Sequence, residues 1–142
     1  MNLSDEQRAF LDSTRSAAMI TIGRDGMPKA VRVGVVVVDG LLWSSGTAGR
    51  ARTKRLRRDP RCTVFVFDSH HRYLSLETTV TILDGADVPE QSMRLFRRMQ
   101  GRPVGDLLWN GQEVSDSDFL DAMVREERLI YQFQVHRAYG LV

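Results

Sequence analysis

The sequence has very little cysteine and no long hydrophobic run. Cys62 is the single cysteine among 142 residues, so the chain can form no internal disulfide and has no second thiol for a cysteine-based metal site. We predict that Cys62 is a small buried side chain in a strand. The longest apolar stretch, VGVVVV with its flanks, is far shorter than the roughly 20 residues that cross a bilayer. Because the first ten residues are also polar and unlike a secretory signal, we predict a cytoplasmic protein with no membrane partner.

Lysine is also scarce, and the basic residues are almost all arginine. Only Lys29 and Lys54 are lysines among 20 basic residues, a bias that the codon usage of a GC-rich genome produces and that points to actinobacteria or similar sources. The chain has no internal repeat, no flexible linker and no low-complexity tract, and its length is that of a common single domain. We therefore predict one domain that spans residues 1–142.

One segment, GRARTKRLRRDPR at residues 49–61, has seven basic side chains in thirteen positions, although the formal net charge of the chain is only +2. These charges repel one another unless solvent or a bound anion relieves the repulsion. The segment is rich in Ala, Arg and Leu and precedes Pro60, which predicts a helix over residues 48–59. Leu56 is expected to point inward, with Thr53 and Arg52 on the same face.

An anion near the start of this helix would meet several donors at once. The first turn of a helix has free N–H groups and a partial positive charge, and Thr53 with at least two arginines would add side-chain donors. The segment directly follows WSSG, and a junction between a strand and a helix is a frequent phosphate site. The alternative is a basic helix that faces only solvent.

The rest of the pattern predicts a mainly β protein with flanking helices. Asp-Gly pairs in RDGMP and at residues 39–40 indicate tight turns between strands, and the polar tip SHHR separates two further long strands. The final strand contains RLIYQFQV. Helices are predicted over residues 4–14, with a capping box of Ser4 and Gln7, over 89–100 and over 115–127. Six antiparallel strands with short hairpins predict a small barrel.

Several motifs along the chain together resemble a known family. A strand that ends in Ser is followed by Arg-x-Arg/Lys-Thr-x-x-Leu-x-x-Asp/Asn-Pro-Arg, and TIGRDGMPKAVRVGVVVVDG, YLSLE and VHRAYGL follow the same family order. The set resembles the split-barrel flavoproteins related to pyridoxamine 5′-phosphate oxidase, and most of all their small actinobacterial branch that uses the deazaflavin coenzyme F420. The resemblance implies a six-stranded antiparallel split barrel.

The resemblance also implies a cofactor site. The family's phosphate-binding cations fall on Arg50 and Arg52, with Thr53 beside them and Ser45 at the end of the preceding strand. Further cofactor-binding positions, which approach the ring or the tail, fall on Lys29 and Arg32. Tyr73 matches an aromatic position near the ring, across the interface of a homodimer that holds two sites between its subunits.

Both FMN and F420 have a phosphate and a ring, but F420 continues into a chain of glutamates. Lys54, Arg57 and Arg58 extend the positive surface along the basic helix, which favours the longer anion. We therefore predict an F420-dependent oxidoreductase that transfers a hydride to a small conjugated or aromatic substrate, with FMN as the alternative cofactor.

Other functions stay open on the sequence alone. The same residues would serve a non-catalytic flavin or deazaflavin carrier. Nucleic-acid binding by the basic helix ranks third, because the sequence lacks a helix-turn-helix partner and an exposed aromatic platform. The three histidines, His70, His71 and His136, are interpreted as exposed or structural, and His71 is the strongest candidate among them for a proton donor because it would share a strand face with Tyr73.

Overall fold

The computed structural model describes residues 1–142, which form nine strands and four helices. The strands are β1 (Ser16–Ile22), β2 (Pro28–Gly34), β3 (Val36–Val38), β4 (Leu41–Thr47), β5 (Arg61–Phe67), β6 (Tyr73–Leu83), β7 (Leu107–Trp109), β8 (Gln112–Val114) and β9 (Arg128–Leu141). The helices are α1 (Asp5–Ser13), α2 (Ala51–Arg58), α3 (Val88–Gln100) and α4 (Asp116–Arg125).

Seven of the strands form one antiparallel sheet in the order β2-β1-β5-β6-β9-β4-β3. Its two outermost strands, β2 and β3, are consecutive in the chain and are joined at Val35, so the sheet must curl back on itself. This arrangement confirms the predicted mainly β split barrel. The sheet has seven strands rather than six because the long run after Lys29 breaks at Val35, where the chain changes its partner from β1 to β4.

The barrel interior follows from period-two alternation along the strands. Ala17 and Met19 of β1, and Val64 and Val66 of β5, are completely buried, whereas the residues between them point outward. Cys62 lies on the same inward face of β5, which confirms its predicted place, and burial raises the pKa of its thiol to about 12. Its sulfur is therefore a protonated core atom at neutral pH.

Two helices complete the core beside the ends of β1. Helix α1 precedes β1 and buries Phe10 and Leu11, and its capping box has the predicted Ser4 and Gln7 partners. Helix α2 packs beside the other end of β1 and buries Leu56. No helix is both long and apolar enough to cross a membrane.

Helix α3 covers the outside of only one part of the sheet. Its Val88 and Leu95 pack with Val36, Trp43 and Ile130 of β3, β4 and β9. The β7–β8 hairpin and α4 pack in turn against α3, and they share a separate cluster around Leu107, Phe119, Ala122 and Met123. We call this unit, residues 107–125, the hairpin–α4 lobe.

The two predicted helices in this region are confirmed, but the hairpin between them was not predicted. Its turn contains Asn110 and Gly111 with φ angles of 53° and 78°, which fit a type I′ turn. The Asn-Gly pair was therefore the available signal. Each strand has only three residues, too few to show an alternating pattern.

Candidate functional site

Helix α2 starts directly after β4 and offers uncapped backbone donors at its N-terminus. Arg50 is the N-cap residue and makes no side-chain capping bond, and no acidic residue lies in the first turn. The helix ends before Pro60, as predicted, and Thr53 and Leu56 point inward. The start of α2 therefore has a positive dipole end and basic side chains with no carboxylate in the same turn.

A buried hydroxyl pair attaches α2 to the sheet. The Thr53 hydroxyl donates to the carbonyl oxygen of Thr47 at 2.8 Å and also hydrogen-bonds the hydroxyl of Tyr131, a fully buried residue of β9. Gly46 lies beside this pair, and a Cβ there would overlap the Tyr131 ring, so only glycine permits the close approach. Thr53 is itself fully buried, and its hydroxyl anchors the helix.

Arg52 lies against this buried pair and has a donor without a partner. Its guanidinium carbon is 5.8 Å from the centre of the Tyr131 ring, and its Nε is buried with no hydrogen bond. Burial is the main cause that lowers the pKa of Arg52; Tyr131 acts in the opposite direction, and the charges of Arg50 and Arg128 lower the pKa further. A buried N–H without an acceptor is costly, and a bound anion would relieve that cost.

Ser45, near the end of β4, provides a second such atom. Its Oγ is buried and has no hydrogen-bond partner. Its side chain belongs to the outward face of β4, in register with Ile130. Ile130 and Tyr131 are consecutive in β9, so Ser45 lies on the opposite face of the sheet from the Tyr131 ring that Arg52 contacts. Each of the two atoms is unmet, and a polar or anionic group fits either of them better than an apolar ligand does.

The seven basic side chains of residues 49–61 divide into two groups. Four have polar partners at 2.8–3.0 Å: Arg55 with the Thr21 hydroxyl, Arg57 with Asp84, Arg58 with the carbonyl oxygen of Ile22, and Arg61 with Asp59. The side-chain hydrogen bond from Arg61 lowers the pKa of Asp59 to about 2, so that carboxylate neutralises Arg61 at neutral pH. The other three, Arg50, Arg52 and Lys54, make no ion pair. The Tyr131 hydroxyl is the one polar group beside Arg52, and it does not satisfy the buried Nε.

A groove of about 600 Å³ extends from α2 to the turn between β1 and β2. It brings together Lys29 and Lys54, two of the predicted site residues. Arg24, Arg55 and Arg58 also line it, and Asp25, its one carboxylate, is paired with Lys29 at 3.2 Å. The positive surface therefore extends from α2 toward the β1–β2 turn rather than along the helix through Arg57. Arg57 does not line this groove, and its charge is balanced by Asp84.

The structure does not bring Arg32 into this groove. Arg32 follows Lys29 by three positions in β2, so the two side chains point to opposite faces of the strand. Arg32 instead lines a second groove of about 540 Å³ with Arg15, Phe96 and Met99. Within one chain, the predicted pair Lys29 and Arg32 thus belongs to two separate surfaces.

Tyr73 is the first residue of β6 and lies on the outward face of the sheet, stacked on Phe65 with ring centres 5.2 Å apart. His70 and His71 lie in the exposed turn before β6, and His136 is exposed and hydrogen-bonded to Thr79 at 2.8 Å. The three histidines are exposed, as expected. The predicted strand face shared by His71 and Tyr73 is wrong because β6 begins only at Tyr73.

Three residues near α2 were not predicted. Arg128 is in register with Thr47, forms an ion pair with Glu126 at 2.9 Å, and lies over the Trp109 ring at 4.9 Å. The Trp109 indole N–H donates to Glu126 at 2.8 Å. Burial raises the pKa of Glu126, but hydrogen bonds from Trp109 and Arg128 outweigh that effect and keep it below the usual value. Arg128 has no distinctive sequence context, so nothing in the sequence indicated this cluster.

The curled antiparallel sheet and the basic β4–α2 junction define a split-barrel protein with a candidate anion site. Residues 3–132 match the sequence profile of the pyridoxamine 5′-phosphate oxidase family. Because the match covers most of the chain, the protein belongs to this family.

Solved structures show the same fold. A conserved hypothetical protein from Mycobacterium tuberculosis has a TM-score of 0.75 and 25% identity, over 98% of this chain and 84% of that one. A protein named F420 reductase has a TM-score of 0.70 and 16% identity, over 96% and 98%. A heme storage protein from Vibrio cholerae has a TM-score of 0.68 and 11% identity, over 99% and 96%. The fold therefore does not by itself decide the ligand.

Proposed function

We propose that this protein is an F420-dependent oxidoreductase that holds the cofactor phosphate at the β4–α2 junction and reduces a small conjugated or aromatic substrate. The observation that carries the proposal is the division of the basic segment. Four of its cations have partners, whereas Arg50, Arg52 and Lys54 make no ion pair, and Arg52 Nε is buried without an acceptor. Ser45 Oγ, at the end of the preceding strand, is also buried without a partner. Such unmet donors fit a phosphate group.

The groove between α2 and the β1–β2 turn favours F420 over FMN. FMN ends at its phosphate, whereas F420 continues through a phosphodiester into several carboxylates. Lys54 and Arg24 are exposed in this groove and make no ion pair, so they are free to bind such a tail. The neighbour named F420 reductase supports the proposal at the level of the fold. FMN is the alternative cofactor.

Four basic residues have a defined part in this proposal. Arg50 and Arg52 would bind the phosphate together with the first N–H groups of α2, and Lys54 and Lys29 would bind tail carboxylates. The bound deazaflavin ring supplies the hydride chemistry. The chain's own contribution is to orient ring and substrate and to exclude water from their contact.

The substrate end of the site requires a second subunit in this proposal. Helix α3 leaves the outer face of β1, β5 and β6 uncovered, and this face has the stacked rings of Phe65 and Tyr73 and the ring of Phe67 at its centre. Tyr139 and Leu141 of β9 extend it and are 46% and 60% exposed. We propose that two chains pack through this aromatic face, so that Tyr73 of one chain approaches the cofactor of the other.

Phe65→Glu tests this interface. We expect the wild-type protein to sediment at twice the 16.1 kDa chain mass and the variant to sediment as a monomer with weakened cofactor binding, because a carboxylate would be buried against the partner. Val124→Glu is the matched control, since Val124 is 65% exposed on α4 and lies outside the face. A monomeric wild-type protein that binds the cofactor fully would contradict the interface.

Titration of the purified protein with F420 tests the function directly. We expect the cofactor fluorescence to change with micromolar affinity and FMN to compete only weakly. Turnover of enones, quinones and nitroaromatics by the loaded protein would then distinguish an enzyme from a carrier. Failure to bind F420 at micromolar concentration, or retention of a flavin through purification, would reject the F420 proposal.

A further inference from the structure

A second concentration of positive charge lies on the other side of the molecule, where α3 ends. Four arginines, Arg15, Arg94, Arg97 and Arg98, line a cavity of about 420 Å³ together with Gly101 and Pro103. No carboxylate belongs to this lining, and Pro103 is its one apolar residue. The cavity lies within the roughly 300–1,000 Å³ range of small-molecule sites.

The ion pairs nearby leave part of this charge unbalanced. Arg94 pairs with Asp39 and Arg97 pairs with Asp116 at 2.6 Å, but neither carboxylate lines the cavity. Arg15 and Arg98 have no ion pair at all. Each donates one hydrogen bond to a carbonyl oxygen, of Asp12 at 2.9 Å and of Val37 at 3.2 Å. A guanidinium has five N–H donors, so most donors of these two remain available.

The C-terminal dipole of α3 explains only part of the cluster. Cations in the last turn of a helix are favourable, which accounts for Arg97 and Arg98. It does not account for Arg15, which comes from the segment between α1 and β1. Arg97 is also held in place by two further bonds, to the carbonyl oxygens of Arg102 and Gly105 at 3.0 and 2.9 Å, and only 15% of its side chain is exposed. One wall of the cavity is therefore fixed before any ligand arrives.

A neighbouring surface adds another cation. The groove that contains Arg32 shares Arg15 with this cavity and also has the Ser16 side chain, which Arg32 contacts at 3.5 Å. The positive surface thus continues beyond the four arginines, away from α2. None of these residues lines the groove of Lys29 and Lys54.

We propose that this arginine cavity is a second anion site, which binds a compact polyanion with two or more adjacent phosphate or carboxylate groups. Paired N–H donors of arginine match the oxygens of both groups, and several guanidinium groups around one cavity favour a multiply charged ligand over a single charge. No aromatic side chain lines the cavity, so the cavity provides no ring on which a planar ligand could stack. The site does not depend on the proposed cofactor function.

Calorimetric titration with pyrophosphate and with citrate tests the site and separates the two chemical groups. Arg52→Gln serves as the background, because it weakens any pyrophosphate binding at the β4–α2 junction. In that background we expect pyrophosphate to bind at one remaining site. The affinity of this site should fall at least tenfold when Arg15→Gln and Arg98→Gln are introduced together. Citrate binding of equal strength would indicate a general polyanion site, and weaker citrate binding would indicate a phosphate site.

Arg125→Gln is the matched control, because Arg125 is an exposed arginine in the last turn of α4 and makes no ion pair. It should leave pyrophosphate binding unchanged. Arg15→Gln alone, outside any helix or strand, tests the site if the double variant does not fold by circular dichroism. Absence of the remaining site, or affinity unchanged by the double variant, would overturn the proposal. With Arg52 restored, Arg15→Gln and Arg98→Gln together should leave F420 affinity at the wild-type value, so failure here is distinct from failure of the cofactor proposal.

Discussion

Arg52→Gln is expected to weaken F420 binding by about 30-fold or more, since losing one partner of a desolvated charge contact costs about 2–5 kcal/mol and each 1.4 kcal/mol is tenfold. The physical reason is the position of Arg52 against the buried Tyr131 ring, with its Nε shielded from water and unbonded. An anion bound there would be the partner that this donor lacks. Fluorescence titration of each variant with F420 measures the effect.

Arg57→Gln is the matched control, because it removes the same charge from the same helix. Arg57 is exposed and already paired with Asp84, so its loss should change F420 affinity by less than about threefold, the scale of an exposed ion pair. Arg52→Glu should weaken binding further than Arg52→Gln, since a carboxylate would repel the phosphate. Equal affinities for Arg52→Gln and Arg57→Gln would show that the cofactor is not bound at the β4–α2 junction.

The basic helix was predictable because its causes are local in the sequence. The composition of residues 49–61 and the Pro60 stop predict α2, and Leu56 sets its inward face. The resemblance assigns Arg50 and Arg52 to the cofactor phosphate and the charge along the helix assigns Lys54 to its tail, and these roles stay predictions. What the sequence could not show is which cations already have hydrogen-bond partners, because the partners of Arg55, Arg57 and Arg58 lie at residues 21, 84 and 22, outside the helix.

The missed features depend on distant contacts or on very short elements. Tyr131 is one of several aromatic residues in an alternating strand, and its contact with Thr53 spans 78 positions. The break at Val35 directly follows Gly34, which was the available signal, but the valines on both sides have the same β propensity and favour one long strand. The period of a strand, which was available from the sequence, already puts Lys29 and Arg32 on opposite faces of β2, and their roles toward the cofactor stay predictions.

Phe119→Ala is expected to lower the free energy of unfolding by about 3–5 kcal/mol, the cost of removing a large aromatic side chain from a packed core. Phe119 is fully buried and is the ring that connects α4 to the hairpin and to α3. Its ring centre lies 5.7 Å from that of Phe96 and 5.4 Å from that of Trp109, both in edge-to-face geometry. Urea unfolding followed by circular dichroism measures the loss.

Val124→Ala is the matched control, because Val124 lies on the same helix α4 but outside the packed cluster of Phe119. Helical spacing in the predicted helix over 115–127 would put Phe119 and Val124 on one apolar face. Val124 is 65% exposed in the structure, so its truncation should change the free energy of unfolding by less than about 0.5 kcal/mol. Losses of similar size in the two variants would mean that the stripe is buried as a whole and that the hairpin–α4 lobe packs differently. A large loss in Phe119→Ala alone supports the packing that places Trp109 beside Arg128, next to the β4–α2 junction.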